Sequence, residues 1–198
     1  MSSEDDADSS RQRASQLACT EGVLNRTPDA AIVANLGVAS YALASVTDRQ
    51  RNFYCWGSMG LTTSIGLGLA LATDEEVVVF EGDGSLLMSL GVLGTIAACN
   101  PSNLTIVIWE NGVYGTTGRQ PVTGIEYANA AQACGLWARK ADTVRGFETR
   151  YAEALAYDGA AMVVCRVEPV DPAARPPLDF AHVAWRFRDA LTDDEGDR

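Results

Sequence analysis

The sequence predicts an α/β fold: a doubly wound, mainly parallel sheet with helices on both faces. Three observations lead there. Short apolar runs alternate along the chain with helical patterns, as strand–helix–strand units require. Two of those runs, Val77–Glu81 and Leu104–Glu110, are β-branched and apolar without interruption, too continuous for a sheet with one wet face. The 198 residues give room for one full-sized domain and not two.

Taken in order, residues 1–13 are expected to be a disordered acidic leader, 14–191 the folded domain, and 192–198 an acidic tail. Ala31–Asn35 predicts a strand, followed by a helix around Ser40–Val46. Asn52–Trp56 is a second strand leading into a helix over Leu61–Ala72. After the central strand Val77–Glu81, a helix is expected over Ser85–Cys99, with Asn100-Pro101 as its stop. The buried strand Leu104–Glu110 comes next, then helices near Ile125–Cys134 and Phe147–Tyr157, and a last strand, Met162–Val167. A crossing that holds Pro172, Pro176 and Pro177 precedes an amphipathic helix, Phe180–Leu191.

Composition narrows the function classes. The chain has 26 acidic and 15 basic residues, a net charge of −11, and Lys140 is its only lysine. Such a surface attracts neither phosphate backbones nor anionic lipids, so nucleic acid and membrane are excluded as partners. Excess carboxylate with almost no lysine fits a halophile with a salt-rich cytosol, and an ordinary acidic cytosolic protein is the alternative. Five cysteines at wide spacings (Cys19, Cys55, Cys99, Cys134, Cys165) predict no disulfide framework, and four of them are expected in apolar surroundings. With His182 as the sole histidine, zinc sites and Ser-His-Asp triads lack raw material. The longest apolar stretch, Ile65–Ala72, is too short to span a bilayer, and the acidic start is unlike a signal peptide. A cytoplasmic protein is expected.

In open parallel sheets, ligands gather beyond the carboxyl ends of the strands. That singles out Asn35–Ser40, Gly57–Gly60 with Gly82–Ser85, and Asn111–Gln120. Gly82-Asp83-Gly84-Ser85 follows one buried strand and opens a helix, where free amide groups favour a phosphate. Asp83 is out of place beside a phosphate unless a cation stands between them. Asn111, at the end of the next buried strand, can share Mg²⁺ with it, since this hard ion takes few protein oxygens and completes its shell with phosphate and water. The residues thus point to a diphosphate with Mg²⁺; two ordinary turns are the simpler alternative. Gly66-Leu67-Gly68 precedes a strand instead of following one, so it suits close helix packing better than dinucleotide binding.

The segment from Gly82 to Asn111, thirty residues long, resembles the signature of the thiamine diphosphate enzymes. The resemblance implies the thiamine diphosphate-binding fold, with Asp83, the Asn111 side chain and the Val113 carbonyl as Mg²⁺ ligands. It puts Gly82, Gly84, Ser85 and Tyr114 on the cofactor. Gly57-Ser58-Met59-Gly60 is similar to the loop that props the cofactor rings from beneath, with Met59 as the prop; a core methionine at a strand–helix corner is the alternative. Asn35, Gly37 and Ser40 match a further diphosphate-side loop. The first of the two asparagines that often close the signature is Glu110 here.

The segments GSMGLTTSIGLGLAL, EGDGSLLMSLGVLGTIA and WENGVYGTTGRQ narrow the likeness to the β subunits of sulfopyruvate decarboxylases and the related half of phosphonopyruvate decarboxylases. The implied activity is a thiamine diphosphate- and Mg²⁺-dependent 2-oxo-acid decarboxylase subunit, 3-sulfopyruvate giving sulfoacetaldehyde and CO₂. Phosphonopyruvate or another 2-oxo acid is the second enzyme reading, and a non-catalytic scaffold or regulatory subunit the reading outside catalysis. Relatives tend to have Gly-Gly-Gln where this chain has Gly118-Arg119-Gln120. Arg119, with Gln120, either faces an anionic substrate tail or is a solvated surface residue. In these enzymes the glutamate that activates the pyrimidine ring belongs to a second domain. The resemblance therefore implies a separate α subunit, a hetero-oligomer, and no catalytic acid or base in this chain.

Overall fold

The computed structural model describes residues 13–192. Of the expected leader and tail, 1–12 and 193–198 lie outside the described residues. Arg13, assigned above to the leader, is instead anchored: its guanidinium donates to the carbonyls of Asn111 (3.1 Å) and Val167 (3.2 Å).

Six strands, all parallel, form one sheet: β1 (Ala31–Asn35), β2 (Asn52–Cys55), β3 (Val77–Gly82), β4 (Leu104–Glu110), β5 (Trp137–Ala141) and β6 (Ala161–Arg166), in the spatial order β2-β1-β3-β4-β6-β5. Among the described residues eight helices flank it: α1 (Gln16–Arg26), α2 (Val38–Val46), α3 (Thr62–Ala72), α4 (Asp83–Leu87), α5 (Val92–Cys99), α6 (Tyr127–Ala133), α7 (Val144–Leu155) and α8 (Phe180–Thr192). The doubly wound α/β expectation holds.

Alternation along the strands divides the core between two faces. Val78, Phe80, Val107, Trp109 and Val163 pack with residues of α1, α2, α7 and α8. Val77, Val79, Ile106, Ile108 and Val164 pack on the other side with residues of α3, α5 and α6. The continuous apolar runs of β3 and β4 exist because both faces are covered. Gly66 lets α3 lie close on β3: a Cβ there would stand 2.1 Å from Val79 Cγ2. The close-packing reading of that glycine is thus the one the fold bears out.

Two expectations need correction. The helix expected over Ser85–Cys99 is broken between α4 and α5, where Met88, Ser89 and Val92 amides each reach only three residues back, to Ser85, Leu86 and Ser89. Ser89 and Gly91 are weak helix formers, and three-residue turns replace α-helix there. Cys99 and Cys134 are exposed, so three cysteines and not four are buried. Two elements also went unpredicted. α1 presents Gln16 and Thr20 among its buried residues, which blurs its apolar period; β5 is an edge strand whose Arg139 and Lys140 are exposed.

Candidate functional site

β1 and β3 are neighbours, yet the chain leaves β1 for β2 on one side and later returns to β3 on the other. Such a switch point opens a crevice at the strand ends. A cavity of about 90 Å³ lies there. Asn35 from the end of β1, Gly82 from β3, Asp83, Gly84 and Ser85 from α4, and Asn111, Val113 and Tyr114 after β4 all line it, with Met59 from the loop before α3. Nine of the expected site residues therefore share one cavity.

Asp83 is its centre of charge. The side chain is 3 % exposed; Oδ1 accepts from the Gly84 amide at 2.8 Å and Oδ2 from the Gly112 amide at 2.7 Å. Burial pushes its carboxyl above the ordinary carboxylate range, the Gly112 and Gly84 amides pull it back, and Glu110 adds a smaller upward push. Among the described residues no cation pairs with it. Asn111 Oδ1 accepts from the Val113 amide at 2.9 Å, which shapes the turn that brings the 111–113 backbone beside Asp83. A desolvated carboxylate, an amide oxygen and a backbone carbonyl are hard oxygen donors, the set that Mg²⁺ takes. The donor set fits the metal that the sequence implies.

Below Asp83, a second buried carboxylate ties the loops together. Glu81 accepts from the Thr63 amide and hydroxyl through Oε2 and from the Gly82 amide through Oε1. Burial raises its pKa against those bonds. It pins the start of α3 to the end of β3. The Gly60 amide then donates to Ser85 Oγ at 2.8 Å, which holds the Met59 loop against α4. Thr62 Oγ1 donates to Asn35 Oδ1 at 3.2 Å and joins β1 to the same assembly. Gly84 has to be glycine for space: a Cβ would meet Tyr114 Cε1 at 2.3 Å.

Six expected residues stand off the cavity wall. Ser40 is buried in α2 and donates to the Asn35 carbonyl at 2.6 Å, so it braces the strand end. Gly37, at φ 76°, makes the turn into α2 between the lining residues Leu36 and Val38. Gly57 is exposed at φ 70°, and Ser58 donates to the Trp56 carbonyl at 3.4 Å. Arg119 and Gln120 are exposed on a hairpin-like loop closed by the Tyr114 amide on the Gln120 carbonyl at 2.9 Å. Arg119 has φ 60°, the left-handed conformation that glycine takes freely.

The cavity also carries residues that went unflagged. Gln16 of α1 and Trp109 of β4 line it. No motif announces either, since a polar residue at a helix start and an aromatic in a buried strand are ordinary features. Gly115, Thr116 and Thr117 line it too, within the stretch already singled out.

Comparison with known proteins agrees with this geometry. Residues 34–165 match the C-terminal TPP binding domain of thiamine pyrophosphate enzymes. The chain is 43 % identical over 167 residues to the sulfopyruvate decarboxylase subunit beta of Methanocaldococcus jannaschii, covering 81 % of this chain and 87 % of that one. It is 39 % identical to the phosphonopyruvate decarboxylase of Streptomyces viridochromogenes over 92 % of this chain but only 48 % of that protein, so it spans about half of that relative. A solved structure of a thiamin diphosphate-dependent enzyme from Mycobacterium smegmatis superposes with a TM-score of 0.70 at 24 % identity, over 79 % of this chain and 32 % of that one, and supports the fold. The match over 34–165 covers every lining residue of the switch-point cavity but Gln16, with both loops that meet at Asp83, and on it the chain belongs to the thiamine pyrophosphate enzymes, as their C-terminal TPP-binding domain.

Proposed function

We propose that this chain is the β subunit of a thiamine pyrophosphate- and Mg²⁺-dependent 2-oxo-acid decarboxylase that converts 3-sulfopyruvate to sulfoacetaldehyde and CO₂. The observation that carries the reading is the likeness to a sulfopyruvate decarboxylase subunit beta over 87 % of that subunit's length. Asp83, Asn111 and the Val113 carbonyl would hold Mg²⁺ and so anchor the diphosphate. The backbone that opens α4 would lie along the diphosphate, and Met59 would support the cofactor rings. When bound, thiamine pyrophosphate supplies the electron sink for decarboxylation, and the chain contributes binding, orientation and charge neutralisation.

An α subunit with the pyrimidine-binding domain completes this active site at the interface between chains. Exposed Leu61 just before α3 and Leu71 on it, with exposed Met88 after α4, supply apolar surface for such a partner. The acidic surface suits a salt-rich cytosol, and we place the enzyme in the cytoplasm. No described helix is long and apolar enough to cross a membrane.

The likeness over 92 % of this chain to a phosphonopyruvate decarboxylase favours a second reading, with phosphonopyruvate as substrate. Co-expression with a pyrimidine-domain partner, followed by CO₂-release assays, tests both. Turnover of 3-sulfopyruvate well above phosphonopyruvate and pyruvate is expected. Preference for phosphonopyruvate transfers the assignment to the second reading, and no turnover of any 2-oxo acid by the cofactor-loaded complex leaves a scaffold or regulatory subunit.

A further inference from the structure

Two polar groups in the cavity wall have no task in the function just described. Gln16, the first residue of α1, and Trp109, next to last on β4, line the cavity, and each is 1 % exposed. Among the described residues, neither Nε2 nor Oε1 of Gln16 has a hydrogen-bond partner, nor does Trp109 Nε1. Leaving such groups dry and unpaired destabilises a fold, so buried polar atoms of native chains nearly always have something to meet.

Gln16 is held in place from both sides. Ser15 caps α1, accepting from the Ala18 amide, and the Ala14 amide donates to the Arg166 carbonyl at 2.9 Å. One turn on, Cys19 packs in the same core cluster as Trp109, Phe147 and Cys165. Thr20 also has an unpartnered buried hydroxyl, but it does not line the cavity and stays outside the inference.

The donor chemistry narrows the ligand. An indole N–H only donates, and a glutamine amide brings two more donors. The N–H groups suit an anionic oxygen, and an indole N–H offers a metal ion nothing to bind. Both residues belong to the face of the sheet that carries α1 and α2, whereas Met59 precedes α3 on the opposite face. The end of the cofactor farthest from the rings that Met59 would support is its terminal phosphate. We infer that Gln16 Nε2 and Trp109 Nε1 donate to the terminal phosphate of thiamine diphosphate. This inference rests on the cofactor reading above. It gives the cofactor's phosphate tail two neutral donors, where an arginine would compete with Mg²⁺ for Asp83.

The test is calorimetry on the complex with its partner subunit in Mg²⁺, with thiamine diphosphate and thiamine monophosphate as ligands. In Gln16→Met and in Trp109→Phe, the Kd for thiamine diphosphate rises about tenfold or more, as loss of a bond to a charged group predicts. The Kd for the monophosphate stays within about twofold. Melting of the unliganded Gln16→Met complex is unchanged or higher, because an unpaired amide has gone. An unchanged diphosphate Kd, an equal loss for both ligands, or a lower melting temperature in unliganded Gln16→Met overturns the inference. If Gln16→Met does not fold, Trp109→Phe decides, since the aromatic ring is kept and the N–H removed. A wild-type complex that binds neither ligand overturns the cofactor reading as well; a wild-type complex that binds while the variants match it overturns this inference alone.

Discussion

Asp83 and Gly112 are joined by a 2.7 Å hydrogen bond from the Gly112 amide to Asp83 Oδ2, across the ends of β3 and β4. This bond makes one site out of two loops that are 29 residues apart in the chain. It also holds the 111–113 backbone beside the buried carboxylate.

Asp83→Ala removes the proposed metal ligand and leaves the Gly84 and Gly112 amides unpaired. We expect Mg²⁺-dependent cofactor affinity to fall at least about a hundredfold. The fold survives, with a stability loss of about 1–3 kcal/mol, because a desolvated charge leaves along with its bonds. Calorimetry and thermal melting of the same variant check both. Wild-type affinity in the variant sinks the metal assignment.

Gly66 and Gly68 sit two residues apart on α3, facing different sides, and should respond with opposite signs. A Cβ at Gly66 meets Val79 Cγ2 at 2.1 Å, whereas nothing lies within 4 Å of one at Gly68. Gly66→Ala is expected to cost about 2 kcal/mol through overpacking, and Gly68→Ala to gain up to about 1 kcal/mol through helix propensity. Denaturant melts of the two variants settle the close-packing account; equal effects would contradict it.

α8 is docked partly by charge. Arg186 Nη1 donates to Asp48 Oδ2 at 2.8 Å, and Tyr54 donates its hydroxyl to Asp48 Oδ1 at 2.9 Å. The hydrogen bond from Arg186 holds the Asp48 carboxyl below its usual 3.8 despite the opposing effect of burial. A depressed acid stabilises above its unfolded pKa, and the benefit is lost as pH falls through the lower folded value. α8 should therefore stay docked down to about pH 4 and loosen below it, while Asp48→Asn loosens it at neutral pH. The pair is part-exposed and worth under about 1 kcal/mol, so hydrogen exchange of α8 amides should change only a few-fold. Exchange rates that stay flat through acid in the wild type would remove Asp48 from this role.

Arg119 occupies a left-handed backbone position at φ 60°. Arg119→Gly relieves that conformation and should stabilise the loop by about 0.5–1 kcal/mol, less than the full left-handed penalty because glycine loses more chain entropy. Should the guanidinium meet the substrate's anionic tail, KM for 3-sulfopyruvate rises about tenfold while KM for pyruvate does not move. Equal KM values in the variant and the wild type return Arg119 to the solvent.

The parts of the fold that were legible in the sequence are those in which one physical demand dominates. β3 and β4 are buried on both faces and so are written as unbroken apolar runs; the loops at their ends carry Asp83 and Asn111 at a telling spacing. α1 was illegible because its buried side mixes Cys19 and Val23 with Gln16 and Thr20. β5 was illegible because an edge strand with Arg139 and Lys140 outward has no apolar run. The break after Leu87 depends on three-residue turns around Ser89 and Gly91, a choice that local composition permits but does not force. Gln16 and Trp109 meet only because the fold brings the start of α1 and the end of β4 to one cavity, and no spacing in the chain encodes that meeting. Ser40 falls in the expected loop, but its place off the cavity wall, with its hydroxyl donating to the Asn35 carbonyl, is set by the turn into α2.

The central claim is that this chain supplies the diphosphate- and metal-binding half of a two-chain decarboxylase. Its most direct test is a calorimetric titration of thiamine diphosphate into the purified complex with its partner, with Mg²⁺ present and then removed by chelation. We predict saturable uptake of one cofactor per copy of this chain in Mg²⁺, lost on chelation and restored when Mg²⁺ is returned. No uptake in Mg²⁺, or uptake indifferent to chelation, would contradict the account.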